Sequence, residues 1–174
     1  MLKTMVQDKA EKPKFLADGM LGSLARWLRM LGYDVEYAAD LPDDKLLAEA
    51  EASGRVLLTR DVELYRAASR RLIKVYMVEG KSRAEVLAKL SRKFKLKLRL
   101  NPNSSRCPLC NSPLKPVRRC EVEGNIPANV LRRKRRFWVC VNPGCGKIYW
   151  KGSHWDKIKE TLKKATQYRG KPNL

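Results

Sequence analysis

Arg55-Val56-Leu57-Leu58-Thr59-Arg60-Asp61 is a run of three apolar residues closed by a polar triplet, with Gly54 in front of it. A continuous apolar run of this length reads as a short strand buried on both faces, as in the middle of a parallel sheet. It delivers one carboxylate, Asp61, where the strand leaves the sheet. Lys14-Phe15-Leu16-Ala17-Asp18 does the same earlier in the chain. Ligands of open α/β sheets bind in the crevice outside the carboxyl ends of the strands. Two such strands, each ending in an aspartate, therefore point to a site at that edge.

The flanking segments complete the pattern. Leu21, Leu24, Leu28 and Leu31 share one helical face, with Trp27 beside them and Gly32 closing the helix. Residues 34–37 alternate as a strand. Asp43 and Asp44 open a helix that buries Leu46, Leu47 and Ala50. A helix over 62–71 and a fourth strand over 73–78 follow. Ser82-Arg83-Ala84-Glu85 has the form of a capping box and starts a helix with Val86, Leu87, Leu90 and Phe94 on one face. Strands alternating with helices of this length predict βαβ units and a parallel sheet flanked by helices. Residues 95–100 alternate strictly and read either as an edge strand or as a bridge out of the domain. Asn101-Pro102-Asn103-Ser104-Ser105 marks a domain boundary. The expected organisation is a loose tail over 1–13, an α/β domain over 14–100, a cysteine-bearing module over 101–155 and a basic helical tail over 156–174, with Ile158, Leu162 and Ala165 at helical spacing.

The formal net charge is +20, and a protein this basic is expected to meet a polyanion, nucleic acid first. The charge is uneven. Residues 1–100 hold 21 Lys+Arg against 14 Asp+Glu, whereas residues 101–174 hold 17 against 4. Residues 34–63 form an acidic island, with nine acids and only Lys45, Arg55 and Arg60 as bases. Carboxylates that hold a divalent metal, set among cations that hold phosphate, would give this pattern. The charged start lacks an apolar segment and no run approaches a membrane span. A cytoplasmic protein with no membrane association is expected.

All five cysteines lie beyond residue 106. Cys107-Pro108-Leu109-Cys110 is one pair, and Cys140-Val141-Asn142-Pro143-Gly144-Cys145 is the other. Proline or glycine sits in each turn, which lets backbone N–H groups approach the sulfurs. Two knuckles about 30 residues apart can supply four thiolates to one tetrahedral Zn²⁺, with β-hairpin arms between them. Four protein ligands leave no open position, so this zinc would be structural. Cys120 lies outside both pairs, and His154, the one histidine, is not needed.

Asp18 and Asp61, with Asp40, Asp43 and Glu63 close by, suit Mg²⁺ or Mn²⁺, which prefer carboxylate oxygen and water. The plainer alternative is helix capping, since aspartate between strand and helix is a common N-cap. Acid–base catalysis by histidine would depend entirely on His154, and metal-activated water is the simpler mechanism. Arg132-Arg133-Lys134-Arg135-Arg136 stands next to Phe137, Trp138, Tyr149 and Trp150. Cations mixed with aromatics can grip phosphates and stack unpaired bases; the aromatics can equally pack inside a small module. Arg26 and Arg29 are either phosphate contacts or a solvated helix face.

Phe-Leu-Ala-Asp-Gly-Met-Leu-Gly-Ser-Leu-Ala-Arg-Trp-Leu-Arg-Met-Leu-Gly-Tyr-Asp (15–34), Arg-Val-Leu-Leu-Thr-Arg-Asp (55–61), Arg-Cys-Pro-Leu-Cys-Asn (106–111) and Cys-Gly-Lys-Ile-Tyr-Trp-Lys-Gly-Ser-His (145–154) resemble the Mut7-C RNase domain family. The resemblance covers about residues 14–158. It implies a PIN-like Rossmannoid parallel sheet flanked by helices, followed by a small β-rich zinc ribbon and a basic C-terminal helix. It also implies metal-dependent RNA cleavage by an acidic cluster. Asp18 matches the first PIN-like aspartate and Asp61 the late one. Asp43 matches the middle acid, with Asp40 and Asp44 as neighbouring candidates, and Glu63 matches a position often acidic in such chains. The expected ligands are thus Zn²⁺ on Cys107, Cys110, Cys140 and Cys145, and Mg²⁺ or Mn²⁺ on Asp18, Asp43 and Asp61. Arg26, Arg29 and residues 132–136 would position RNA, with rRNA or tRNA precursors, or the ribosome, as partners. A non-catalytic zinc-ribbon RNA-binding or ribosome-associated factor on a degenerate PIN-like fold is the alternative. A phospho-acceptor receiver fits less well, because Gly19 follows Asp18 where paired acids are needed.

Overall fold

The computed structural model describes residues 11–170. Residues 1–10, most of the expected N-terminal tail, and residues 171–174 lie outside the described residues.

Four short strands form a parallel sheet: β1 (Phe15–Ala17), β2 (Val35–Tyr37), β3 (Val56–Thr59) and β4 (Val75–Met77), in the order β2-β1-β3-β4. β1 is central and pairs with both β2 and β3, Ala17 lying opposite Tyr37 and Leu58. Between the strands run α1 (Gly22–Met30), α2 (Asp43–Ser53) and α3 (Val62–Arg70), and α4 (Arg83–Phe94) follows β4. The central strands β1 and β3 are buried on both faces, which is why they read as unbroken apolar runs. Phe15, Ala17 and Leu58 face a core built with α1 and α4. Leu16 and Leu57 face the opposite layer, with Leu46, Leu47 and Ala50 of α2 and Leu64 and Ala68 of α3. Helices on both faces make the sheet doubly wound. The chain leaves β1 toward β2 and leaves β3 toward β4, so the topological switch lies between β1 and β3.

Residues 95–100 are not a strand. Lys95 ends α4 in the left-handed region (φ 54°), and the segment then crosses out of the α/β layer. Leu96 is buried and Leu98 and Leu100 pack beside it. The alternation comes from side chains tucked into a core, with no strand among the described residues pairing with it.

The cysteine module holds a three-stranded antiparallel sheet of β5 (Leu114–Val117), β6 (Phe137–Cys140) and β7 (Ile148–Trp150), in that order. β5 and β6 are antiparallel arms as expected, but no tight turn joins them. A 3₁₀ turn (Arg119–Glu121) and the short α5 (Ala128–Arg133) intervene. Val122, Leu131 and Phe137 bury a small core of their own there. The last helix, α6 (His154–Arg169), returns to the first core, where it buries Leu162 and Ala165 against α4. No helix among the described residues is long and apolar enough to cross a membrane.

Candidate functional site

The four paired cysteines meet. Cys107 and Cys110 lie in the loop before β5, Cys140 ends β6, and Cys145 lies in the turn before β7. Their sulfurs all fall within 4.8 Å of one another, with Cys107–Cys145 at 3.7 Å and Cys110–Cys140 at 3.3 Å. Tetrahedral zinc–thiolate bonds would set sulfurs about 3.8 Å apart, so the donor set and spacing fit a metal such as zinc. The turns are fixed locally: Asn111 N–H donates to the Cys107 carbonyl, and Cys145 and Gly146 N–H donate to that of Asn142. Burial pushes the Cys110 thiol up, but hydrogen bonds from Ser112 outweigh it and bring it down to about 6. Burial and the neighbouring sulfurs push Cys140 up to about 12. Burial and Cys107 also raise the phenol of Tyr149, whose hydroxyl stands 3.1 Å from the Cys107 sulfur. Four sulfurs this close would repel one another as thiolates, and a cation among them would deprotonate and hold them together. Cys120 is exposed and outside the group.

The carboxylates line the other end of the molecule. Parallel strands in the order β2-β1-β3 set their carboxyl ends side by side. Asp18 follows β1, Asp61 follows β3, and Asp40, Asp43 and Asp44 follow β2. Asp18 is buried (4 % exposed). It caps the 3₁₀ turn Gly19–Leu21, Oδ1 accepting from Met20 N–H at 2.9 Å, while Oδ2 is buried with no hydrogen-bond partner among the described residues. Tyr37 crosses this loop, donating to the Gly19 carbonyl at 2.9 Å. A Cβ on Gly19 would stand 2.7 Å from the Ala39 carbonyl oxygen, and one on Gly22 would stand 2.8 Å from the Tyr37 ring. The glycines therefore permit this close approach. Asp61 caps α3, its Oδ1 accepting from Glu63 and Leu64 N–H at 2.7 and 2.9 Å. The capping geometry is thus present at both aspartates. Asp40, Asp43 and Asp44 are exposed, and Glu63 pairs with Arg66 at 2.8 Å. Among the described residues the cysteines form the one converging metal-capable group; no three carboxylates draw together comparably.

The expected RNA contacts divide. Arg26 is exposed on α1, and Arg132, Arg133, Arg135 and Arg136 are exposed around the end of α5, with Lys134 half-buried. Arg29 requires a correction. It is only 6 % exposed. Its Nε donates to the Val35 carbonyl at 2.8 Å, and Nη1 donates to the Pro108 and Leu109 carbonyls at 3.0 Å. Its donors hold the first cysteine knuckle and do not face a phosphate. Phe137 and Trp138 are likewise interior, Trp138 Nε1 donating to Asn103 Oδ1 at 2.8 Å.

Sequence reasoning passed over Arg60, Lys81 and Arg83, which line a cavity beside the loop that Asp18 caps. The signal was present: Arg60 stands between the end of a buried strand and Asp61. Arg83 had drawn notice only as part of a capping box.

This architecture defines a class, an α/β protein with a doubly wound parallel sheet and a cysteine centre able to hold a metal. The model of the Mut7-C RNAse domain family matches residues 13–162, and the chain belongs to that family. No curated protein and no solved structure matches the chain. Membership brings with it a nuclease or RNA-related role and RNA as the suggested substrate class.

Proposed function

We propose that the protein is a metal-dependent ribonuclease of PIN-like fold, working in the cytoplasm on structured RNA such as rRNA or tRNA precursors. The observation that carries this reading is Asp18. A buried carboxylate oxygen without a partner costs free energy unless a cation or proton answers it. This one sits at the switch point of an α/β sheet, where ligands bind. Asp18 and Asp61 would hold Mg²⁺ or Mn²⁺ with one acid from the segment after β2, Asp43 first among them. Bound there, such a cation lowers the pKa of water and neutralises charge on a phosphodiester. The chain's own part is to fix the two aspartates by their caps, keep bulk water from Asp18 and surround the edge with phosphate-binding cations. The cysteine centre would hold Zn²⁺ as a structural ribbon, and residues 132–136 would add phosphate contacts.

The second reading, an RNA-binding factor without cleavage, is favoured by one observation: both aspartates are used as helix caps while no carboxylate triad converges among the described residues. Labelled single-stranded and structured RNA, incubated with Mn²⁺ or with EDTA, separates the two. Cleavage that requires Mn²⁺ and falls about a hundredfold or more in Asp18→Asn and in Asp61→Asn is expected. Binding with no cleavage, unchanged in both variants, would establish the binding factor.

A further inference from the structure

We propose that the cavity between the start of α1 and the start of α4 is a phosphate-binding pocket for the RNA strand. The pocket holds about 250 Å³ and is lined by Ser23, Arg60, Lys81, Ser82 and Arg83 with core Leu24 among them; no carboxylate lines it. Arg83 Nη2 donates to Ser23 Oγ at 2.7 Å, which pins the guanidinium across the gap between the two helices. The side chains of Arg60 and Lys81 form no ion pair among the described residues. The neighbouring acids already have partners: Asp61, next to Arg60, accepts from Glu63 and Leu64 N–H as the cap of α3. Glu85 accepts from the Lys81 N–H and pairs with Lys89, and Glu79 pairs with Lys89 too. Burial, and then the positive charge of Arg60, draws Arg83 below its usual value. Two guanidiniums brought together without an acid between them are costly, and an anion offsets that cost.

Backbone placement adds to the side chains. Ser23 is in the first turn of α1, and Arg83 opens α4 directly after its cap Ser82. Both helices present the positive ends of their dipoles here. Gly80 (φ 141°) lets the chain pass close to α4; a Cβ there would stand 2.9 Å from Val86 Cγ2. The pocket belongs to the same edge as the aspartates. Met20 and Leu21, in the turn that Asp18 caps, also border it, and Arg60 is joined to Asp61. A phosphate held here would anchor the strand one step from Asp18 and Asp61, while the scissile bond lies at the carboxylates. That role rests on the ribonuclease reading; the anion chemistry of the pocket does not.

The test is run in EDTA at fixed ionic strength, so that binding is read where no cleavage occurs. Fluorescence anisotropy of one short oligoribonucleotide, with a 5′-phosphate or a 5′-hydroxyl, is compared for the wild type, Arg60→Gln/Arg83→Gln and a charge-matched control on α6, Lys157→Gln/Lys163→Gln. The pocket variant is expected to bind about tenfold or more weakly, the control within about twofold of wild type. Loss confined to the 5′-phosphorylated strand assigns a terminal monoester to the pocket, and equal loss for both assigns an internal diester. Equal weakening in pocket variant and control overturns the proposal. Inorganic phosphate titrated into the ¹⁵N-labelled wild type provides a reading free of variants and of RNA. Saturable shifts at the Ser23 and Lys81–Arg83 amides are expected, and shifts scattered over the basic surface would also overturn it.

Discussion

Asp18 is held by a single good hydrogen bond, while its second oxygen is shut away from water. A charge in that position weakens the metal-free protein, and a divalent cation would turn the cost into binding energy. Asp18→Asn removes the charge but keeps an acceptor for Met20 N–H. The expected outcome is a metal-free variant within about 1 kcal/mol of wild type, or more stable. Excess Mn²⁺ should raise the thermal midpoint of the wild type, by an equivalent of about 2–3 kcal/mol at a hundred times Kd, and leave that of the variant unmoved. Equal Mn²⁺ shifts in both proteins would remove Asp18 from the site. At this scale the sequence was legible where a residue's place follows from the element it ends. A buried apolar run can close on Asp18 or Asp61 in few ways. It was illegible where several residues share a segment: Asp40, Asp43 and Asp44 are all exposed on the stretch after β2, and no periodicity distinguishes them. Arg29 shows another limit. Its helical position was plain, but whether a guanidinium meets solvent or three carbonyls depends on a segment nearly 80 residues away.

Between elements, the informative joint is the one between α1, β2, β3 and the first cysteine knuckle. Asp34, just before β2, accepts from Arg55 Nη1 at 2.9 Å and from Asn111 Nδ2 at 2.8 Å, with Arg106 at 3.5 Å. Burial pushes its carboxyl up, but the bonds from Arg55 and Asn111 and the charges of Arg55 and Arg106 outweigh this, leaving it below the usual carboxylate range. A lowered folded pKa means that the ionised form stabilises the fold. That contribution is complete above the unfolded value near about 3.9 and is lost as pH falls through the lowered folded value. Asp34→Asn should cost about 1–3 kcal/mol at pH 7 and much less at pH 2–3. Urea midpoints at the two pH values test this, and a pH-independent difference would contradict it. The helices and strands of the α/β part followed from local pattern because each buries its own stripe. Residues 95–100 misled as a possible strand because strict alternation reports burial on one side and says nothing about a pairing partner. α5 went unforeseen because its segment is short and basic and is organised by Val122, Leu131 and Phe137, contacts that only the folded module creates.

Across the whole molecule, the cysteine centre and the carboxylate edge lie at opposite ends of the parallel sheet. The knuckle meets the amino ends of the strands, through Asp34 and through Val35 N–H donating to Asn111 Oδ1 at 3.1 Å, whereas Asp18 and Asp61 follow the carboxyl ends. A metal at the cysteines would therefore reach the carboxylate edge only through the fold, without direct contact. The coupling is dense. Arg106 N–H donates to the Arg29 carbonyl at 2.8 Å, Ser105 Oγ bonds the Met30 carbonyl, and Gly32 (φ 88°) leaves no room for a Cβ beneath the Ser104 carbonyl. After the module, α6 returns to bury Leu162 and Ala165 in the core of α1 and α4. With the module fastened at both its entry and its exit, losing the metal should weaken the whole chain and not merely the knuckles. Chelation is expected to lower the thermal midpoint of the far-ultraviolet helix signal, most of which arises from α1 to α4 and α6. One cooperative transition should remain, and added Zn²⁺ should restore the midpoint. Two separated transitions, or a helix midpoint that ignores the chelator, would show instead that the module unfolds alone. The contacts of Arg29, Asp34 and Asn111 would then be too weak to carry any influence from the cysteines to the sheet.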